Sequence, residues 1–352
     1  MHWGTQTPKG GSVHAFTTIQ GMTMGQLSLT IATGNYDRTR PISDGRVQIE
    51  GVDPNHLFFS PEEMFYRAFR FHSFDISELS FSSYCAGAAN PDFPYIAIPV
   101  FLSRSFRHSA VFIRKASGIT QPSDLKGKTL GVTEYQLTAN VWVRGILEDF
   151  YTVPQTEIRW IRGGLFDPKR PEKLKIKLPD GVDYSEAPEG QTLNAMLEAG
   201  QIDGLIGPRP PGAFYTSDTY GRLFPDTFGE VARYYQATQI FPIMHVLGIK
   251  KSLVAKHPWL PASLYKAFET ARQIAMEAIL DTSASKVTMP MLDEQIDYVR
   301  THLGPEIWTY GYAENKHVID TFLRYHHAQG LSPRLLSAEE LFDPSSMESY
   351  SI

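Results

Sequence analysis

The chain has 352 residues, 42% of them hydrophobic and 20% charged, with a formal net charge of -5. That length exceeds one comfortable core and predicts two lobes of an ordinary globular protein, neither disordered nor membrane-embedded. An acidic balance without a concentrated basic face argues against a nucleic-acid partner. The single Cys85 excludes an intrachain disulfide and a cysteine-based zinc site, and it fits a reducing cytoplasm.

Residues 1–25 carry Gly, Thr, Gln and two His but no continuous apolar run, so they read as a disordered extension rather than a secretory signal. No stretch approaches the roughly 18 apolar residues needed to cross a bilayer. The first strand is predicted over 26–33, followed directly by the polar turn Gly34-Asn35-Tyr36-Asp37. A helix follows over 61–71, with Pro61 in its first turn and Met64, Phe65, Ala68 and Phe69 on one face. After a strand over 74–79, residues 80–89 start with hydroxyls and continue with small residues, the pattern of a helix whose N-terminus can hold an anion.

Two more strands are expected over 95–101 and 109–114, then a short helix at 123–125 and a strand over 128–132. A helix over 139–150, a strand over 158–162, a helix over 192–199 and a strand over 202–206 follow. A strand over 242–250 returns the chain, and long helices occupy 261–280 and 316–329, ahead of a loosely ordered Ser-rich tail after Pro344. The resulting fold class is α/β: one lobe from 26–115 and 239–352, a second from 116–238, two crossings between them, and a ligand cleft between the lobes.

Polar clusters stand where strands end, which is where α/β proteins bind ligands. Arg38, Arg40, Arg104, Arg107 and Arg209 are candidates for gripping a small anion, because a guanidinium meets a carboxylate with two parallel hydrogen bonds. Ser82 and Ser83 add hydroxyl and backbone donors at a helix start, or simply cap it. His326-His327 lacks ligand spacing, since adjacent helical residues point about 100° apart. No glycine run forms a phosphate-binding loop. The sequence therefore predicts no required metal or organic cofactor.

Several phrases together resemble the 4,5-dihydroxyphthalate decarboxylase family on a type II periplasmic-binding-protein-like fold. They are Tyr36-Asp37-Arg38-Thr39-Arg40, Phe74-Asp75-Ile76-Ser77-Glu78-Leu79-Ser80, Ile98-Pro99-Val100-Phe101, Phe106-Arg107-His108-Ser109, Gly131-Val132-Thr133-Glu134-Tyr135-Gln136 and Val141-Trp142-Val143-Arg144-Gly145-Ile146-Leu147. The extension before Met24 and the charged segment 166–189 depart from that pattern. The resemblance implies loss of one carboxylate from 4,5-dihydroxyphthalate to give protocatechuate and carbon dioxide, in bacterial phthalate degradation.

Direct loss of carbon dioxide would leave a poorly stabilised aryl anion, so such an enzyme is expected to protonate the ring first, assisted by a para phenolate. That chemistry needs an acid near the ring carbon, a base near a phenol and a clamp for the carboxylate that stays. His108 is the first candidate for proton transfer, or else hydrogen-bonds the anion or a buried carbonyl; His245 is the second, or else a histidine satisfied in the core. Glu134 is a candidate base or histidine orienter, or else a helix-entry charge; Tyr135 is a donor to ring oxygens, or else a pocket wall. The departing carboxylate is expected to face less polar walls such as Phe106 or Trp142.

The rival function is a solute-binding protein for an aromatic or other small organic acid. It needs the clamp and the hinge but no proton shuttle, and it should be exported. Other enzymes on this fold, such as a thiamin-pathway pyrimidine synthase that relies on a cysteine-rich motif, fit a chain with one cysteine poorly. The small aromatic acid is the one expected partner, with no membrane partner. Whether Trp308, Tyr310 and Tyr312 support a homo-oligomer or pack the C-terminal helices is left open by the sequence.

Overall fold

A computed structural model describes residues 26–168 and 177–347. The expected extension 1–25 and the last residues of the tail, 348–352, lie outside the described residues, as do 169–176 within the charged segment. The chain starts with β1 (Leu27–Thr33), α1 (Arg40–Ser43), β2 (Val52–Phe58), α2 (Pro61–Phe71), β3 (Ile76–Ser80), α3 (Phe81–Ala88) and β4 (Tyr95–Arg104). It continues through β5 (Val111–Arg114), β6 (Thr129–Val132), α4 (Thr138–Tyr151), β7 (Arg159–Arg162), β8 (Tyr184–Glu186), α5 (Leu193–Glu198), β9 (Gly204–Ile206), β10 (Tyr220–Arg222) and α6 (Thr227–Thr238). It closes with β11 (Ile243–Lys250), α7 (Lys251–Lys256), α8 (Leu260–Leu280), α9 (Leu292–His302) and α10 (Lys316–Ala328).

Two sheets organise these elements, in the orders β2-β1-β3-β11-β4 and β10-β5-β9-β6-β7-β8. In each sheet an antiparallel strand borders the run of parallel ones: β11 beside β3, after three parallel strands, and β5 beside β9, after four. This is the two-lobed α/β arrangement expected for a type II periplasmic-binding-protein-like fold. The chain leaves the first sheet after Arg104 and returns at Ile243, and the two crossings touch where the Ser105 amide donates to the Pro242 carbonyl at 3.1 Å. The strand expected over 109–114 starts at Val111 and pairs in the second sheet with β9 and β10, so it belongs beyond the crossing and not in the first lobe.

Local chemistry explains the individual elements. Helix α2 is capped by Ser60, whose hydroxyl accepts from the Glu63 amide at 3.4 Å, begins on Pro61 and ends at His72, which is left-handed at φ 51°. Strand β2 was not predicted because Pro54 lies within it; it forms an edge of its sheet, where a missing donor is tolerated. Helix α6 was missed as well, although Asp226 caps it by accepting from the Gly229 amide at 3.0 Å. Helix α9 has one buried side chain, Ile296, too little for an apolar periodicity to stand out.

Helix α4 belongs to both cores. Trp142 and Ile146 join the large cluster of the first lobe, and Val143 and Leu147 join the cluster under the second sheet. Trp142 Nε1 donates to the Ile243 carbonyl at 2.8 Å, which ties α4 to the start of β11. Gly145 allows α10 to approach, since a Cβ there would collide with the Tyr325 ring. Phe342 bridges to Ala97, and of the tail after Pro344 the described residues include the buried Ser346. Among the described residues no helix is long and apolar enough to cross a membrane.

Candidate active site

A cavity of about 440 Å³ opens between the sheets. One wall comprises Pro61, Glu62 and Phe65 of α2, Ser80 and Ser83 at the start of α3, Arg107 from the first crossing, and Met244 and His245 of β11. The other comprises Thr133, Glu134 and 136–139 after β6, 164–167 after β7, and Leu205, Gly207, Pro208 and Arg209 around the end of β9. Most of these segments follow the carboxyl ends of parallel strands, the usual place for a ligand in such sheets.

The most connected polar pair is Glu78 with His245. His245 opposes Ser80 across the antiparallel β3–β11 pair, so Glu78, two residues earlier on β3, lies on the same face diagonally opposite. His245 Nδ1 lies 2.5 Å from Glu78 Oε1. The carboxylate also accepts from the Tyr36 hydroxyl at 2.9 Å and the Gly34 amide at 2.8 Å. Glu78 is fully buried. Burial alone would raise its pKa, but hydrogen bonding and charge from His245, with the Gly34 and Tyr36 donors, overcome that and hold the carboxyl below its ordinary value. Tyr36 is pushed up by burial and by the adjacent Glu78 charge, so it remains a donor. With Nδ1 engaged, Nε2 is the nitrogen that His245 offers to the cavity it lines. The Phe65 ring packs edge-on against the imidazole at 4.8 Å between centroids.

Arg107 supplies positive charge. Its Nε donates to Met244 Sδ at 3.0 Å, beside His245, and among the described residues it has no carboxylate partner. Burial pulls its pKa down to about 10, which leaves it charged at neutral pH. Two helix starts add to this field. Thr138 and Ala139 open α4, and Ser80 and Ser83 flank the first turn of α3. Ser80 Oγ and Thr138 Oγ1 are 3.0 Å apart, and Thr138 Oγ1 also accepts from the Ser82 amide at 3.0 Å, which locks the two starts together. The first amides of a helix lack intrahelical partners, so this corner favours an anion.

The structure thus brings His245, Glu134, Arg107, Ser83 and Arg209 to one cavity. Glu134 is buried at the entry to α4, where its carbonyl accepts from Asn140 Nδ2 at 2.7 Å. Arg209 is exposed and pairs with Glu62 Oε1 at 2.9 Å. The other candidates lie elsewhere. His108 does not line this cavity: it is caged by Tyr151, Phe224 and Tyr234, neither ring nitrogen has a hydrogen-bond partner among the described residues, and burial lowers its pKa to about 4. Arg38 is sandwiched between Tyr36 and Trp308 and donates to the Leu102 carbonyl. Arg104 is buried, with its pKa lowered to about 9 by burial, and donates to the carbonyls of Phe241 and Thr309 and to Asn315.

Arg40 begins α1 at the surface. Ser82 is buried behind the corner, its carbonyl accepting from His326 Nε2 at 3.0 Å. Tyr135 is buried under the Arg144 guanidinium and donates to Gln155 Oε1 at 2.6 Å. Phe106 stacks on Phe241 and Trp142 packs on Phe322, so the cavity's apolar surface comes instead from Phe65, Leu137, Leu165, Phe166 and Leu205. His327 Nδ1 lies 3.2 Å from the Ser332 carbonyl, so both paired histidines serve the backbone. Trp308, Tyr310 and Tyr312 pack against the first-lobe core. Glu78 and Glu62 were not singled out from the sequence. An acid between Ile76 and Leu79 of a strand was the available signal for Glu78, because a buried charge demands a partner.

No family model matches the sequence. The chain is 52% identical over 330 residues to the 4,5-dihydroxyphthalate decarboxylase of Comamonas testosteroni, covering 94% of this chain and 100% of that protein. It is 48% identical over 215 residues to the 4,5-dihydroxyphthalate decarboxylase of Pseudomonas putida, covering 61% of this chain and 83% of that one. Among solved structures, the periplasmic aliphatic sulphonate binding protein SsuA from Escherichia coli superposes with a TM-score of 0.48 at 11% identity, over 93% of this chain and 95% of its own.

Proposed function

The chain belongs to the 4,5-dihydroxyphthalate decarboxylase family, and from that premise we propose that it removes one carboxylate from 4,5-dihydroxyphthalate to give protocatechuate and carbon dioxide, with His245 as the acid that protonates the ring. The observation that carries this reading is the Glu78–His245 pair on the wall of a cavity that also holds Arg107. A buried carboxylate holds Nδ1 and orients the imidazole, so Nε2 can deliver a proton to the ring carbon bearing the departing carboxylate. Arg107 lies against Met244, next to that acid, which suits a grip on the carboxylate that stays, ortho to the protonated carbon. The start of α4 with Ser80 and Ser83 helps hold the dianion.

In 4,5-dihydroxyphthalate a hydroxyl stands para to each carboxylate. When it loses its proton to a carboxylate lining the cavity, its electrons reach the ring carbon that His245 protonates. The C–C bond to the departing carboxylate then breaks, its electron pair restores aromaticity, and carbon dioxide leaves. The substrate itself supplies the electron push, so this route uses no metal or organic cofactor. A strong cation on the departing group would favour the ground state, and the apolar surface of Phe65, Leu165 and Leu205 suits that side of the ring.

The lobes built on the two sheets would close about the crossings near 105–110 and 239–242, excluding water. The same reading assigns the protein to the cytoplasm, where the buried free thiol of Cys85 stays reduced. The test is carbon dioxide release by purified, chelator-treated protein given 4,5-dihydroxyphthalate, with phthalate as the control lacking hydroxyls. Release with matching protocatechuate supports the reading, and tight binding without release rejects it in favour of a solute-binding role.

A further inference from the structure

Glu62 and Arg209 face each other across the cavity from different lobes, with Arg209 Nη2 2.9 Å from Glu62 Oε1. Glu62 lies in the first turn of α2, one turn before Phe65, whose ring packs edge-on against His245. Glu62, Phe65 and His245 thus line the same wall of the cavity. Arg209 follows β9 between Pro208 and Pro210, which fix the backbone φ on both sides and aim the side chain. The side chains are 42% and 64% exposed, so the pair is weakly held and open to exchange with a ligand.

We propose that Glu62 and Arg209 form the phenol-ionising pair of this site: Glu62 accepts the proton of the hydroxyl para to the departing carboxylate, and Arg209 receives the resulting phenolate. The inference rests on the decarboxylase reading and adds the residues that serve the hydroxyl edge of the ring. A dianion anchored by Arg107 beside His245 directs its opposite, hydroxyl-bearing edge toward Glu62 and Arg209. There the O–H bond breaks, its electron pair stays on oxygen, the proton goes to Glu62, and the guanidinium exchanges the carboxylate it held for the phenolate. Positive and negative charge remain paired throughout, so ionisation of the phenol leaves no unmatched charge at the cavity mouth. The pair joins the two lobes, so approach of the lobes both shields the ring and completes its base.

The experiment uses the full chain with two probes, protocatechuate and phthalate. An ionised phenol absorbs at longer wavelength than a neutral one, so binding of protocatechuate is followed by difference spectroscopy at a pH where the free acid keeps its phenolic protons. Wild type should show the phenolate band on binding. Glu62→Gln and Arg209→Met should each lose it and lower kcat on 4,5-dihydroxyphthalate by about 10²-fold, while phthalate binds all three proteins alike. Persistence of the band in both variants, or a loss of phthalate affinity as large as that for protocatechuate, overturns the assignment. Wild-type carbon dioxide release, measured in parallel, separates the two levels: release with unaltered variants defeats this inference alone, and absence of release defeats the reading beneath it.

Discussion

His245 on β11 and Glu78 on β3 meet Nδ1 to Oε1 at 2.5 Å, joining a cavity-lining imidazole to a carboxylate with no exposed surface. A buried carboxylate left alone would be costly, yet this one accepts from Tyr36 and Gly34 as well, so its ionised form is the stable one. It fixes the ring's tautomer and direction, and the acid is ready before substrate arrives.

Replacing Glu78 with Gln keeps the shape but removes that charge. The expected result is a fall in kcat of about 10²-fold with KM little changed, because the proton donor and not the carboxylate clamp is affected. Steady-state kinetics of carbon dioxide release measure it. An equal rise in KM with kcat intact would mean that Glu78 supports binding alone.

Arg107→Met removes the half-buried cation beside Met244. A charge-assisted hydrogen bond contributes about 1.5–3 kcal/mol, so affinity for phthalate and for substrate should fall about 10- to 100-fold. Calorimetric titration of phthalate reads this directly. Unchanged affinity would place the carboxylate clamp elsewhere.

His108 should govern acid stability and not turnover. Its folded pKa is depressed by burial to about 4, and buried His326 is likewise lowered to about 4. The unfolded chain binds protons near pH 6.5 while the folded cage does not. The contribution of each is therefore fully present above about pH 6.5 and is lost as pH falls through about 4, by up to about 1.4 kcal/mol per pH unit per histidine. Glu230 and Arg233 stand near His108 and act on it in opposite directions, so burial decides the sign. His108→Phe, which keeps an aromatic ring in the cage, should flatten the fall of Tm between pH 6.5 and 4 with kcat at neutral pH unchanged. A lost turnover would return His108 to the site.

The sequence placed helix α2 at the residues where it occurs, because Pro61 and the apolar face agree. It missed β2 for a physical reason: Pro54 argues against a strand until the strand is known to be an edge. Among the candidates, Arg107 and His245 converge and His108 does not, although Arg107 and His108 are adjacent. Consecutive residues at the start of a 3₁₀ turn point to opposite sides, one into the cleft and one into an aromatic cage. Arg38 and Arg104 could not be separated from Arg107 by residue type, because their partners are backbone carbonyls 64 and 137 residues away. Glu78 was legible only as an acid within a strand, and its meaning appears when β11 is laid beside it.

Proton delivery by His245 is the central claim, and the most direct measurement is a paired assay of His245→Gln against wild type: carbon dioxide released from 4,5-dihydroxyphthalate, and phthalate affinity by calorimetry in the same preparations. The account predicts that the variant binds phthalate as wild type does and releases carbon dioxide at least about 10²-fold more slowly. Turnover retained at the wild-type rate would contradict it.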